Sequence, residues 1–206
     1  MRAVLDPGQV RIVPANEVSW DDIQAVFGER GDAPRCWCQR FKLAPKEAFK
    51  TYPPQVRAAR MREQTHAGDP DAPTTSGLIA YLDGEPVGWA AVEPRPAFGG
   101  LLRVYKVPWE GRDEDKADEG VWAVTCILVR SGFRKRGLSY ALASAAVEFA
   151  RARGARALEG YPMLVAPGVD VTWGEIHVGK REVFEAAGFR EVSHPTPRRV
   201  VMRIDF

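Results

Sequence analysis

Apolar residues in this chain fall into short runs, and their spacing is typical of strands in some segments and of helices in others. Runs that are rich in apolar and β-branched residues predict seven strands. In the segment 76–94, two such runs flank Asp83-Gly84, a pair that favours a tight antiparallel hairpin. The predicted strands lie in 10–15, 76–94 (two), 121–130, 156–161 and 189–206 (two).

Four other segments have helical spacing. Ser19 suits the N-cap of the first helix, and Pro54 suits the first turn of the second. A glycine follows the C-terminal end of three of these helices, where a helix commonly stops. The predicted helices cover 20–30, 54–67, about 138–153 and 178–188, with Gly68, Gly154 and Gly188 as stops. Together these elements predict an α/β fold.

Two segments lack a regular period. GDAPRCWCQRF, residues 31–41, predicts a loop or a distorted helix start. PWEGRDEDKADEG, residues 108–120, is so rich in charges and glycine that we expect a solvated surface loop. No polar tract or long linker divides the apolar runs, so we expect one domain over residues 1–206.

Composition excludes several classes of protein. The formal net charge is +2 over 206 residues, which does not favour a protein that coats nucleic acid. Neither a signal peptide nor a membrane span is apparent, and three cysteines are too few for a disulfide scaffold. We therefore expect a cytoplasmic protein without a membrane partner.

The segment VRSGFRKRGLSYAL, residues 129–142, joins a predicted strand to a predicted helix and carries four cations. The first amides of a helix attract anions, and Gly137 lets a ligand approach the backbone closely. We therefore expect a phosphate or pyrophosphate here, although a solvated basic turn is the alternative. A nucleotide P-loop is excluded because Leu138 replaces its lysine, and the dinucleotide fingerprint lacks its three glycines.

These residues resemble the acyl-CoA site of the GCN5-related N-acetyltransferase (GNAT) family. In that family a strand ending in Val precedes R/Q-x-x-G-x-G/A, which opens a helix; here Val129 precedes the motif residues 134–139. Ser139 departs from the usual Gly or Ala but is also small. The segment VFEAAGF, residues 183–189, resembles a later motif of the family, and the resemblance covers 76–206 well.

The resemblance implies a mixed, mainly antiparallel sheet flanked by helices, with splayed central strands that admit acetyl-CoA. Residues 1–75 would supply helices on the acceptor side. By the resemblance, the backbone of Ile127, Leu128 and Val129 would meet the pantetheine arm and the acyl carbonyl. The pyrophosphate would be held by Arg134, Lys135, Arg136, Gly137, Leu138, Ser139 and Tyr140, and Phe184 would pack beside the pantetheine.

The catalytic groups are less clear from the sequence. The family often has Tyr where this chain has Phe184, so the proton donor must come from Tyr161, Tyr140, Ser139 or a water molecule. For the base, Glu159 ranks first because it lies in an apolar strand where burial would raise its pKa. The alternative for Glu159 is a carboxylate on the face of the sheet that points to solvent or pairs with an arginine. Other candidates are Glu93, at the end of the third strand, and the loop residues Glu175 and His177.

Aromatic and sulfur side chains are concentrated in the N-terminal third. We expect Trp37, Trp20 and Glu93 to contribute to the acceptor site, but the segment that contains Cys36 and Cys38 fits a hydrophobic plug better than a wall of that site. One C-x-C and scattered histidines are a weak metal signal, so no metal is predicted.

Together these observations predict an acyl-CoA-dependent N-acetyltransferase in which a primary amine attacks the donor directly. An alternative is a catalytically silent CoA-binding sensor or scaffold. Nucleic-acid binding through the basic turn and Arg151, Arg153 and Arg156 is disfavoured by the total charge. We expect a monomer or a homodimer, acetyl-CoA as donor, and an amine whose identity the sequence does not specify.

Overall fold

Seven strands form one sheet in the computed structural model, which describes residues 10–165, 168–169, 171 and 173–206. Their order is β1-β2-β3-β4-β5-β7-β6, and every neighbouring pair is antiparallel except β4 and β5. This confirms the predicted mixed, mainly antiparallel sheet. The strands are β1 (Val10–Pro14), β2 (Gly77–Leu82), β3 (Glu85–Pro94), β4 (Val121–Val129), β5 (Ala157–Gly160), β6 (Arg190–Thr196) and β7 (Arg199–Asp205).

The β2–β3 hairpin forms where Asp83-Gly84 predicts it. Both residues have positive φ, +51° and +82°, as a tight turn matched to the twist of the strands requires. In β3, the register with β4 shifts between Ala91 and Val92, which marks a bulge in the middle of the sheet.

The parallel strands β4 and β5 separate at the centre of the sheet. They pair only from Val121 with Ala157 to Val124 with Gly160, after which β4 continues to Val129 paired with β3 alone. The predicted splayed central strands are therefore confirmed. The gap opens towards the basic turn that follows β4.

The helices are α1 (Trp20–Phe27), α2 (Ala33–Cys36), α3 (Pro54–Thr65), α4 (Gly99–Arg103), α5 (Leu138–Ala152), α6 (Trp173–Ile176) and α7 (Arg181–Ala186). Ser19 caps α1 as predicted, by accepting a hydrogen bond of 3.1 Å from the backbone N–H of Asp22. The helix ends at Phe27, earlier than predicted, because Gly28 adopts a positive φ of +69°. The spacing did not predict α4, which is only five residues long.

The sheet has a separate core on each face. On one face, α5 packs Leu138, Leu142 and Phe149 into the larger core. On the other, α1 and Trp37 pack against Trp89 of β3. The helical period of α5 therefore explains how the basic turn is fixed to the sheet.

Most of the segment 108–120 is the surface loop that its charge predicts, since residues 110–111, 113–117 and 119 are exposed, but Trp109 and Arg112 depart from this pattern. Trp109 is 7% exposed and donates a hydrogen bond of 2.9 Å to the carbonyl of Leu101. The side chain of Arg112 is 6% exposed and reaches Glu159 on β5. The prediction fails at Arg112 because it assumed that charged residues lie in water, whereas a charge can be buried when its partner is buried with it.

Candidate functional site

The basic turn places a helix end beside the gap between β4 and β5. Gly137, with φ of +86°, is the N-cap of α5, and no side chain caps this end of the helix. Lys135 also has a positive φ, +63°, so the backbone folds back sharply before the helix begins. Arg134, Lys135 and Arg136 are exposed, and their charges add to the positive end of the helix dipole.

A cleft of about 270 Å³ runs from this turn into the gap between the strands. We call it the turn cleft. Its walls come from the end of β4, the first turn of α5 and the segment that leads into α7. They include Ile127, Val129, Arg134, Ser139, Ile176, Gly179, Lys180 and Val183.

The structure brings some of the predicted donor-binding residues together at the turn cleft and places the side chains of others elsewhere. Ile127, Val129, Arg134 and Ser139 line it. The side chain of Leu138 lies in the core, and Leu128 packs on the opposite face of the sheet, so these two residues offer only their backbones. Tyr140 is partly buried against the core.

Phe184 is fully buried beneath the gap and packs edge-on against Phe189, with 5.1 Å between the ring centroids. Glycines on either side make room for its ring. A Cβ added at Gly160 would lie 2.3 Å from Phe184 Cε1, and one at Gly179 would lie 2.6 Å from Cε2. Phe184 therefore supports the end of β5 as a packing residue.

A second cleft lies beyond the end of β5, and we call it the arginine cleft. Its volume is about 160 Å³. The segment 174–180 separates the two clefts: Ile176, Gly179 and Lys180 face the turn cleft, while Gly174, His177 and Val178 face the arginine cleft. The other walls include Arg40, Phe41, Tyr105, Tyr161 and Arg199.

His177 anchors the separating segment to β4. Its carbonyl accepts a hydrogen bond of 2.8 Å from the N–H of Ile127, and its Nδ1 lies 2.9 Å from the carbonyl of Gly174. Since a carbonyl only accepts, Nδ1 carries the proton of the neutral ring. Burial and the charges of Arg40 and Arg199 lower the pKa of His177 to about 4, so the ring is neutral at pH 7.

Glu159 is completely buried, and its described partners are all donors. It accepts hydrogen bonds from Arg95 (3.2 Å), Arg203 (3.2 Å), Arg112 and the hydroxyl of Tyr161 (3.0 Å). These contacts match the alternative in which Glu159 pairs with an arginine, and its role as a base stays a prediction. The three arginines come from distant parts of the chain, which is why the sequence did not reveal them.

Tyr161 lies between this ionic cluster and the arginine cleft. Its hydroxyl donates to Glu159, and its ring forms part of the cleft wall. Burial and the charge of Glu159 raise the pKa of Tyr161 well above its ordinary value. The hydroxyl therefore keeps its proton at neutral pH, and in this structure it directs that proton at Glu159.

The other predicted acceptor-side residues lie away from the two clefts. Trp37 stacks between Phe27 and Trp20, with ring centroids at 4.8 and 5.5 Å, and this packing matches the hydrophobic-plug alternative. Glu93 is paired with Lys42, and burial raises its pKa. The predicted roles of Trp20, Trp37 and Glu93 in acceptor binding stay predictions. The side chain of Glu175 lies outside what the structure describes.

The cysteines are buried thiols. Burial raises the pKa of Cys36 to about 11 and that of Cys38 well above its ordinary value, so neither is a thiolate at neutral pH. Among the residues that the structure describes, no three His, Cys, Asp or Glu side chains are grouped to hold a metal ion. No helix in the described part of the chain is long and apolar enough to cross a membrane.

The comparisons with known proteins agree with this geometry. A family profile described as "Acetyltransferase (GNAT) family" matches residues 37–161. No curated protein matches the sequence significantly.

Solved structures give a further comparison. A GCN5-related N-acetyltransferase from Kribbella flavida has a TM-score of 0.51 at 18% identity, covering 98% of this chain and 100% of its own. The yncA protein of Salmonella typhimurium, solved with its cofactor acetyl-CoA, has a TM-score of 0.50 at 13% identity, covering 96% and 94%. An aminoglycoside acetyltransferase in complex with coenzyme A has a TM-score of 0.50 at 20% identity, covering 95% and 94%. At these identities the likeness concerns the fold alone.

Proposed function

Because this chain belongs to the acetyltransferase (GNAT) family, we propose that it transfers an acetyl group from acetyl-CoA to a primary amine. The observation that carries the proposal is the uncapped start of α5 at Gly137, beside the gap between β4 and β5. The first amides of a 15-residue helix, three exposed cations and a cleft between the strands fit a diphosphate joined to an extended arm.

The residues of the turn cleft would hold the donor. The backbone around Arg134 to Tyr140 would bind the pyrophosphate, and the edge of β4 that β5 no longer covers, from Ile127 to Val129, would pair with the pantetheine arm. Phe184 would support this edge from below, since it fills the space between Gly160 and Gly179. Acetyl-CoA supplies an acyl group that is activated as a thioester.

The proposed reaction is direct attack. The amine nitrogen forms a bond to the acyl carbon, the carbon–sulfur bond breaks, and the amine loses one proton while the leaving thiolate gains one. We assign the proton donor to Tyr161, whose hydroxyl is held in position by Glu159. Glu159 acts through Tyr161 as a positioning residue, because it is fully buried and its described contacts are with donors.

The test is release of free thiol from acetyl-CoA by the purified protein, measured over a panel of primary amines, with mass spectrometry of each product. Acetyl-CoA-dependent acetylation of at least one amine supports the proposal. Tight binding of acetyl-CoA without thiol release from any amine supports the alternative, a silent CoA-binding sensor or scaffold.

A further inference from the structure

The arginine cleft has the charge of a site for an anion. Arg40 and Arg199 both line it, and no acidic residue is found among its described lining residues. Arg40 forms no ion pair within the described part of the chain, and its Nε is buried without a hydrogen-bond partner. The guanidinium of Arg40 lies over the ring of Phe49, 5.2 Å from the ring centroid. No described carboxylate neutralises this charge.

The effect of these two charges is visible on a neighbouring group. Burial lowers the pKa of His177, and the charges of Arg40 and Arg199, which line the same cleft, lower it further. A second cation at this position is therefore disfavoured, and an anion is favoured.

A larger cleft of about 600 Å³ adjoins the arginine cleft, with Arg40 and Gly174 lining both. This larger cleft is also positively charged, because its described cations outnumber its described carboxylates. The cations are Arg35, Arg40, Lys50 and Arg57, and the carboxylate is Asp32. A ligand approaching from this side would meet a positive surface before it reached Tyr161.

The position of the arginine cleft relates it to the transferred group. Residues of the segment 174–180 line both this cleft and the turn cleft, and the carbonyl of His177 in that segment accepts a hydrogen bond from the N–H of Ile127. An amine in the arginine cleft would therefore approach the acyl position from the side opposite the donor.

We propose that the acceptor is a small amine that also carries an anionic group, a carboxylate or a phosphate, which Arg40 and Arg199 bind in the arginine cleft. The part of this inference that concerns the amine rests on the proposed function, whereas the part that concerns the anion does not. An anion site in the arginine cleft makes a polycationic acceptor unfavourable, since such a molecule would meet two arginines and no described carboxylate there.

The experiment compares matched pairs of probes. Glycine and L-leucine are paired with their amides, and O-phosphoethanolamine is paired with ethanolamine. Binding to the CoA-saturated protein is measured by saturation-transfer NMR, and thiol release from acetyl-CoA is measured separately. An amino acid amide has a larger neutral amine fraction than the free acid, so a preference for the acid must come from the protein.

The variants are Arg40→Gln, Arg199→Gln and the matched control Arg151→Gln, which removes the same charge from an ion pair with Glu148 on the exposed face of α5. We expect the anionic member of at least one pair to bind more tightly. The Arg40 and Arg199 variants should weaken that binding at least about tenfold and leave the neutral member unchanged. Arg40→Lys should restore part of the affinity. The carboxylate and phosphate pairs show which anion is preferred.

The inference is overturned if no anionic probe binds, if neutral amines bind equally well, or if the Arg40 and Arg199 variants bind like the control. Arginine-dependent binding of an anion without thiol release would keep the anion site and contradict the proposed transfer. Acetylation of neutral or polycationic amines alone would support the proposed transfer and contradict the anion site. The two failures are therefore distinguishable.

Discussion

The backbone N–H of Ile127 on β4 donates a hydrogen bond of 2.8 Å to the carbonyl of His177, across the gap that separates β4 from β5. The same stretch of β4 backbone is where the family resemblance places the acyl carbonyl and the pantetheine arm. One N–H cannot make a full hydrogen bond to both acceptors. A donor bound as we propose would therefore require the segment 174–180 to adjust.

Hydrogen exchange tests this adjustment. Addition of CoA should slow exchange in the turn 131–140, where new contacts form, and raise it in 174–180, where the contact with Ile127 is lost. The β2–β3 hairpin around Asp83 and Gly84 is the internal reference. Slower exchange at the turn with an unchanged rate in 174–180 would mean that the His177 carbonyl stays on Ile127.

Replacement of Glu159 by Gln should destabilise the fold. The amide would place N–H donors against three guanidinium groups in a site without exposure, and breaking such a buried set costs about 3 kcal/mol or more. Urea unfolding measures the change. Glu114→Gln is the matched control, because Glu114 joins the same arginines from the rim, at 32% exposure. We expect it to cost less than about 1 kcal/mol, and equal losses in the two variants would contradict a buried role for Glu159.

Removal of the Tyr161 hydroxyl should slow turnover without weakening donor binding. A positioned acid contributes at least about 100-fold to a rate in typical enzymes, so Tyr161→Phe should lower kcat by at least tenfold. The Kd for acetyl-CoA should not change. Tyr81→Phe is the control: Tyr81 donates to Asp22 at 2.9 Å and belongs to the core on the other face of the sheet. If kcat of Tyr161→Phe matched this control, another group or water would be the acid.

The ring of Phe184 explains why β5 ends in glycine. The Cβ of Gly160→Ala would overlap a fully buried ring, and we expect a loss of about 1–3 kcal/mol in the free energy of unfolding. In Gly132→Ala the new methyl group has no heavy atom within 4 Å, so this variant serves as the reference. Combining Gly160→Ala with Phe184→Leu should cost less than the sum of the single changes. Strict additivity would show that the two residues do not compete for space.

The sequence predicted the local elements well because their signals are local. Asp83-Gly84 specifies a turn, and Ser19 and Gly137 specify helix starts, each within a few residues. The partners of Glu159 could not be predicted in this way. Arg95, Arg112 and Arg203 lie far apart in the chain, and nothing in their neighbours distinguishes them from solvated arginines.

The arginine cleft, which we propose as the acceptor site, could not be assembled from the sequence for the same reason. The aromatic residues of the first third drew attention to Trp20 and Trp37, which stack in the core beneath the sheet. The arginine cleft is built instead from side chains at Arg40, Tyr105, Tyr161, His177 and Arg199. Only the folded sheet brings these positions together, so their proximity has no counterpart in the order of residues.

The central claim is that the start of α5 binds the diphosphate of acetyl-CoA, and calorimetric titration of three proteins tests it most directly. Gly137→Asp puts a carboxylate at the N-cap of α5. Gly154→Asp introduces the same residue at a similar positive φ, +79° against +86°, beyond the other end of the helix. We predict that the wild type and Gly154→Asp bind acetyl-CoA and free CoA alike, and that Gly137→Asp loses binding of both. Equal affinity for acetyl-CoA in all three proteins would contradict the account.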